Sequence, residues 1–263
     1  MNGRVLIIAG SDPSGGAGIQ ADIKTVTALG GYAATAITAL TVQNTRGVSA
    51  VHAVSPDVIA AQIEAVMSDI GADAIKIGMI GDVATAGVVE AALLENASVP
   101  VVLDPVLIAT SGDALAEDGV AGFIKERLVP CAAVVTPNKG ETETLTGISI
   151  ANREDMIEAG RKLLALGARA ALITGGHMGG ETVEDVLVTG NEVCSFTNER
   201  IETSSTHGTG CTLASAIATG LAQGMTLEDA TARAVDYVHQ AIRTAPGFGG
   251  GNGPLNHSWV IET

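Results

Sequence analysis

Val5-Leu6-Ile7-Ile8-Ala9-Gly10-Ser11-Asp12-Pro13-Ser14-Gly15-Gly16-Ala17-Gly18-Ile19-Gln20-Ala21-Asp22 opens the chain as a short aliphatic run, a glycine-rich turn and the start of an amphipathic segment. A continuous apolar run of this length, broken by glycines and followed by helical spacing (Ile19/Ile23/Val26), reads as a doubly buried parallel strand feeding a helix. The unit recurs. Ala74 to Met79, Val99 to Leu103, Ala132 to Thr136 and Ala170 to Thr174 are further short aliphatic runs, each ending in a Gly, Pro, Asp or Asn cluster. Between and after them lie helical spacings at Ile59/Ile63/Val66/Ile70, Val88/Ala92, Val120/Phe123/Ile124/Leu128, Ile157/Leu163/Leu164, Leu213/Ile217/Leu221 and Leu227/Ala234/Val238/Ile242. Alternation of strand and helix predicts an α/β fold, a mostly parallel central sheet with helices on both faces. Val183 to Val188, Thr189-Gly190-Asn191-Glu192 and Val193 to Thr197 read instead as an antiparallel hairpin extending the sheet at one edge. Ala33 to Val42 fits either the sheet or a subunit edge, and the glycine-rich tail Gly247 to Pro254 reads as a loop.

The 263 residues, 46% apolar and 16% charged, suit one globular domain over 1–263. Only 2% are aromatic and 33 are glycine, so the core is built from small and branched aliphatics packed closely. Fourteen Lys and Arg against 29 Asp and Glu give a net charge of −15. Nucleic acid and anionic membrane are unfavourable partners for such a surface. No apolar run approaches the roughly 20 residues of a membrane span. Cys131, Cys194 and Cys211 have neither disulfide nor zinc spacing, which fits a reducing, cytoplasmic setting.

Ligands of parallel α/β sheets sit at the carboxyl ends of the strands. The first glycine turn lets backbone approach a ligand, although a plain turn with Ser14 as N-cap fits equally; it is neither a Walker loop nor Gly-x-Gly-x-x-Gly. His207-Gly208-Thr209-Gly210-Cys211-Thr212 opens a helix whose free amides suit a phosphate or a developing oxyanion. In that field the Cys211 thiol is expected below its ordinary pKa, as a proton acceptor; the plainer alternative is an eased turn with an inert cysteine. Asn138 and Glu141 suit either Mg²⁺ near nucleotide phosphates or a helix capping box. Asp104 is placed to face a metal or phosphate, and Gly175 and Gly176 to pass close to a nucleotide. His52, His239 and His257 read as surface or capping residues, and Tyr32 and Trp259 as packing.

Ile8 to Asp22, Ile37 to Thr45, Lys76-Ile77-Gly78-Met79, Asp104-Pro105-Val106, Thr136-Pro137-Asn138 and Thr206 to Thr212, in this order, closely resemble the hydroxymethylpyrimidine/phosphomethylpyrimidine kinases of thiamine biosynthesis, members of the ribokinase-like superfamily. The resemblance implies a three-layer ribokinase-like fold and two ATP-dependent phosphorylations. The first acts on 4-amino-5-hydroxymethyl-2-methylpyrimidine and the second on its monophosphate. It further implies ATP and Mg²⁺ as cofactors, no nucleic-acid or membrane partner, and a homodimer. By that match Gly10, Asp22, Val42, Gln43 and Met79 line the pyrimidine pocket. Gly208, Thr209, Gly210 and Cys211 form the anion hole, Cys211 standing where sugar kinases of the superfamily carry a catalytic Asp. Asn138, Thr174 and Gly176 would hold the nucleotide, and Asp104 and Glu141 the metal. The chain departs from the family where Thr110 and Thr174 replace expected lysines, so Lys139 or the metal must carry more of the charge, and Asn252 stands where His is expected. The alternatives are a pyridoxine or pyridoxal kinase and a non-catalytic pyrimidine-binding protein of the same fold.

Overall fold

Every expected aliphatic run is a strand in the computed structural model, which describes residues 1–108, 112–113 and 115–261. In chain order the elements are β1 (Arg4–Ser11), α1 (Gly18–Ala28), β2 (Tyr32–Asn44), β3 (Gly47–Ala53), α2 (Pro56–Asp69), β4 (Ala74–Ile77), α3 (Val83–Glu95) and β5 (Val101–Leu103). Then follow α4 (Val120–Phe123), which runs on through short turns to Cys131, β6 (Val134–Val135), α5 (Lys139–Thr146), α6 (Arg153–Ala165) and β7 (Ala170–Ile173). The chain continues with β8 (Thr182–Thr189), β9 (Val193–Glu199), α7 (Thr209–Ala222) and α8 (Leu227–Arg243). All nine strands form one sheet in the order β3-β2-β1-β4-β5-β6-β7-β8-β9.

From β2 to β7 in that order the pairing is parallel. Strands β8 and β9 add the expected antiparallel hairpin at one edge. The other edge carries a second antiparallel pair, β2 with β3, which the pattern of Ala33 to Val42 left open. The reason is length: β2 continues past its last β1 partner, Ser11 opposite Leu40, and its outer part turns at Thr45-Arg46 to pair with β3. Leu40 and Val42 remain half exposed there, so no buried face imposes a readable alternation.

Alternation within each strand sends side chains to two separate cores. Leu6, Ile8, Ile75, Ile77 and Leu103 pack against Ile59, Val89, Val120 and Leu163 of α2, α3, α4 and α6. Val5, Ile7, Ala74, Val102 and Leu172 pack against Ile19, Val26, Leu213, Ile217 and Tyr237 of α1, α7 and α8. This is the three-layer architecture expected from the sequence. Among the described residues no helix is long and apolar enough to cross a membrane.

Candidate active site

The carboxyl ends of β1, β4, β5, β6 and β7 open into one cavity of about 740 Å³, closed on one side by the start of α7. Gly10, Gln43 and Met79 form one end of its wall. Asp104, Asn138 and Glu141 follow, then Thr174 and Gly176, with Gly208 to Cys211 at the start of α7, where a Cβ on Gly210 would lie 3.8 Å from Asp104 Oδ1. Two residues of the expected pyrimidine pocket are not on this wall. Asp22 is fully buried behind it, its carboxylate taken up by Lys76 and Ser215. Val42 is half exposed, outside the cavity, while its neighbours Thr41 and Gln43 border it. Thr110 lies outside the described residues, whereas Thr174 and Lys139 both border the cavity.

The first glycine turn and the start of α7 are built as one piece. Asp12 Oδ2 accepts from His207 Nε2 at 2.8 Å, from the Ser14 hydroxyl at 2.8 Å and from Ala17 N–H at 2.9 Å. Burial pushes the Asp12 carboxyl up, but these donors hold it below the usual carboxylate range. An ionised Asp12 only accepts, so Nε2 of His207 carries the proton in this contact. Ser14 therefore ties the turn to Asp12 rather than capping α1, whose N-cap is Ala17. Gly208 caps α7 with φ of +83°, and a Cβ there would overlap the Gly16 carbonyl oxygen. Behind it the Thr212 hydroxyl donates to Gly208 O at 2.7 Å and accepts from His257 Nε2 at 3.0 Å. His257 is thus a buried strut and not a surface residue, its pKa pushed down by burial to about 4. The N–H groups of Gly210 and Cys211, in the first turn of α7, have no intrahelical acceptor and form the positive end of a 14-residue helix.

Below this turn sits a cluster of charges. Lys76 Nζ lies 3.0 Å from both oxygens of Asp22 and 3.8 Å from Asp104 Oδ2. Burial would lower the Lys76 pKa, yet Asp22, Cys211 and Asp104 together hold it above its ordinary value, so it stays an ammonium. The expectation for Cys211 is reversed. Burial pushes the thiol up to about 12, with Asp104 and Asp22 adding to the rise and Lys76 and the Gly18 amide opposing it. Burial of the sulfur, more than any one charge around it, sets this direction.

Asn138 and Glu141 do form the capping box, Asn138 N–H donating to Glu141 Oε2 at 2.9 Å and Glu141 N–H to Asn138 Oδ1 at 3.1 Å. The capping box does not exclude the metal alternative, since the box leaves Glu141 on the cavity wall. Glu141 borders the cavity with Asp104, and burial followed by repulsion from Asp104 pushes its carboxyl up to about 8. Asp104, pushed to about 6 by burial, keeps a buried Oδ2 without a hydrogen-bond partner. Paired carboxylates that destabilise each other, one with an orphaned oxygen, are a donor set that fits a hard divalent cation.

A pH dependence of stability follows. Glu141 has a folded pKa of about 8 against 4.5 unfolded, so the folded chain holds the extra proton, and the stability it brings is lost as pH rises toward 8. His257 acts oppositely, but only between its folded value of about 4 and 6.5. From pH 6.5 to 8 the ligand-free chain is therefore expected to lose roughly 1 kcal/mol per pH unit through Glu141. Urea unfolding across that window measures it, and an equal slope in Glu141→Gln would show that another group is responsible.

Three features of the site are not marked by the glycine motifs. Lys76 is signalled by a lysine inside the apolar run Ala74 to Met79 and by the motif Lys76-Ile77-Gly78-Met79, neither of which gives it a role. The Asp12–His207 pair joins residues 195 positions apart, which no local pattern reveals. Arg200 donates to the carbonyls of Gly176, Met178 and Gly180 and so shapes the loop after β7 from the end of β9.

Known proteins match both chain and fold. A profile of the phosphomethylpyrimidine kinase family matches residues 12–256. The thiamine biosynthesis bifunctional protein ThiED of Geobacter sulfurreducens is 51% identical over 99% of this chain, which spans only 53% of that longer protein. The hydroxymethylpyrimidine/phosphomethylpyrimidine kinase of Rhizobium meliloti is 47% identical, over 98% of this chain and 97% of its own length. Among solved structures, the pyridoxal kinase of Bacillus subtilis in its ADP complex superposes with a TM-score of 0.92 at 35% identity, covering 100% of both chains. The whole length of the fold and the glycine-lined cavity lie within these matches, and the chain belongs to the phosphomethylpyrimidine kinase family of phosphotransferases.

Proposed function

We propose that residues 1–263 act as one kinase domain. It transfers the γ-phosphoryl group of ATP first to 4-amino-5-hydroxymethyl-2-methylpyrimidine and then to the monophosphate so formed. The observation that carries this reading is one cavity with Gln43 and Met79 at one end and the open amides of Gly210 and Cys211 facing it. Gln43 offers an amide whose oxygen already accepts from Thr41 at 3.1 Å, leaving its NH₂ for a ring nitrogen. Met79 packs adaptably on a flat ring, and Gly10 leaves room for its sulfur, 3.0 Å from where a Cβ would stand.

Phosphoryl transfer needs in-line positioning and cancellation of charge more than covalent chemistry. The α7 amides would hold the moving group, while Asn138, Thr174 and Gly176 would hold the nucleotide phosphates beside them. Asp104 and Glu141 would bind Mg²⁺, which when bound neutralises phosphate charge. Cys211 borders the position of the accepting hydroxyl. With its thiol protonated it orients that oxygen, and it can take the hydroxyl proton only by passing its own S–H proton to the Asp104 carboxylate beside it. We further place the protein in the cytoplasm, where its three free cysteines stay reduced, and as a homodimer, on the strength of Leu40, Val42 and Val51, half exposed along the β2–β3 edge.

The likeness to pyridoxal kinase supports a second reading, phosphorylation of the hydroxymethyl group of a pyridoxal-type ring. Coupled ADP release with Mg-ATP on hydroxymethylpyrimidine, its monophosphate and pyridoxal decides between them. Turnover on both pyrimidines is expected. Preference for pyridoxal would overturn the substrate, and pyrimidine binding without any turnover would move the protein to the binding class.

A further inference from the structure

Among the described residues Lys76 is the one ionisable side chain within the buried interior of β1 and β4 to β7. It follows Ala74 by two positions and so points toward the layer of α1 and α7. There Asp22 of α1 takes its ammonium through both carboxylate oxygens, and Ser215 of α7, one turn beyond Cys211, donates to Asp22 Oδ1 at 2.7 Å. A charged pair buried this deeply carries a desolvation cost that its own attraction barely repays, so stability alone does not account for it.

An ammonium has three N–H donors. Asp22 accounts for two, and the next acceptor, Asp104 Oδ2 at 3.8 Å, is beyond hydrogen-bond range. Lys76 has no solvent exposure, yet it borders the cavity beside Cys211 and Asp104. The spare donor therefore has no protein acceptor among the described residues and no route to bulk water except through the cavity.

Resting on the kinase reading above, we propose that Lys76 donates this remaining N–H to the oxygen that accepts the phosphoryl group. Asp22 and Ser215 are the positioning residues that aim it. The acceptor is the hydroxyl of the pyrimidine in the first transfer and a phosphate oxygen of the monophosphate in the second. This gives a fixed cation at the reacting oxygen, in a chain where Thr174 stands in place of a lysine that the family pattern leads one to expect. It also gives Asp22 a role from behind the wall, in place of direct contact with the ring.

The test pairs Lys76→Met with Asp22→Asn, so that neither charge is left unpartnered, and uses Ser215→Ala as a milder variant that removes one hydroxyl. Thermal unfolding and ADP affinity report on the fold, and kcat and KM are measured on the alcohol and on its monophosphate. The double variant is expected to bind ADP as wild type does. Its kcat/KM should fall about 100-fold or more on the alcohol and further on the anionic monophosphate. Ser215→Ala should lose about tenfold in kcat with ADP affinity unchanged, as loss of aim rather than of charge predicts. A folded double variant, or Ser215→Ala if the double variant does not fold, that keeps wild-type kcat/KM on both substrates would overturn the role of Lys76. If the wild-type chain prefers pyridoxal, the substrate reading fails instead, and the same variants measured on that alcohol still decide this proposal.

Discussion

Cys211→Ala is expected to lower kcat by about 10²- to 10⁴-fold on both pyrimidines, the range for loss of a positioned proton-transfer group. KM should change little, because on the proposed reading the ring is held by Gln43 and Met79 rather than by the thiol. The structure sharpens what this variant reports. Burial and the neighbouring carboxylates push the thiol up to about 12, so no standing thiolate waits for substrate near neutral pH. Proton acceptance by sulfur must then be a relay, the S–H proton passing to Asp104 as the alcohol proton arrives during phosphoryl transfer. Cys211→Ser separates the two contributions, since a hydroxyl keeps the donor and the geometry but gives up its own proton far less readily than a thiol. A serine variant with most of the activity would assign Cys211 to orientation; one as inactive as the alanine variant would assign it to proton transfer. A fall of less than tenfold in Cys211→Ala would remove the residue from the mechanism and leave the helix amides and Lys76 to account for rate.

Gly208→Ala is expected to be the most damaging single methyl group that can be added near the site. The residue has a φ of +83°, which a side chain tolerates only at a cost of about 1–3 kcal/mol. The added carbon would also overlap the carbonyl oxygen of Gly16, so the two loops must separate. Separation breaks the seat of the Asp12–His207 hydrogen bond and shifts the amides of Gly210 and Cys211. Together strain and overpacking are expected to cost about 3 kcal/mol or more. For a chain of this size that lowers the melting temperature by roughly 6–12 °C. Activity should fall further than stability, because misplacement of about 1 Å at the reacting group can cost 100-fold. Calorimetry and steady-state kinetics on the same sample check both, and a variant within 2 °C of wild type would show that Gly16 and Gly208 are free to move apart.

How far the chain could be read before folding depended on the range of the interaction being read. Parallel strands buried on both faces announce themselves as aliphatic runs, since every side chain of Ala74 to Ile77 or Val101 to Leu103 must leave water whatever lies next to it. The glycine turns at Gly15 to Gly18 and Gly208 to Gly210 are legible for the same local reason. The capping box of Asn138 and Glu141 is also a three-residue matter, and so was visible as one of two alternatives.

What needed the folded chain was every property set by groups distant in sequence. The β2–β3 pair lies mostly beyond the end of β1, where β2 has only one neighbour and half-exposed residues carry little pattern. Asp22 looks like a ligand residue in the motif, but its direction is fixed by Lys76 and Ser215, 54 and 193 positions away. The thiol of Cys211 follows the same logic. Its place at a helix start suggests a lowered pKa, while burial and two carboxylates delivered by β5 and α1 raise it. Burial and backbone conformation are local consequences of composition and spacing, whereas the charge state of a buried group sums over whatever the fold packs around it.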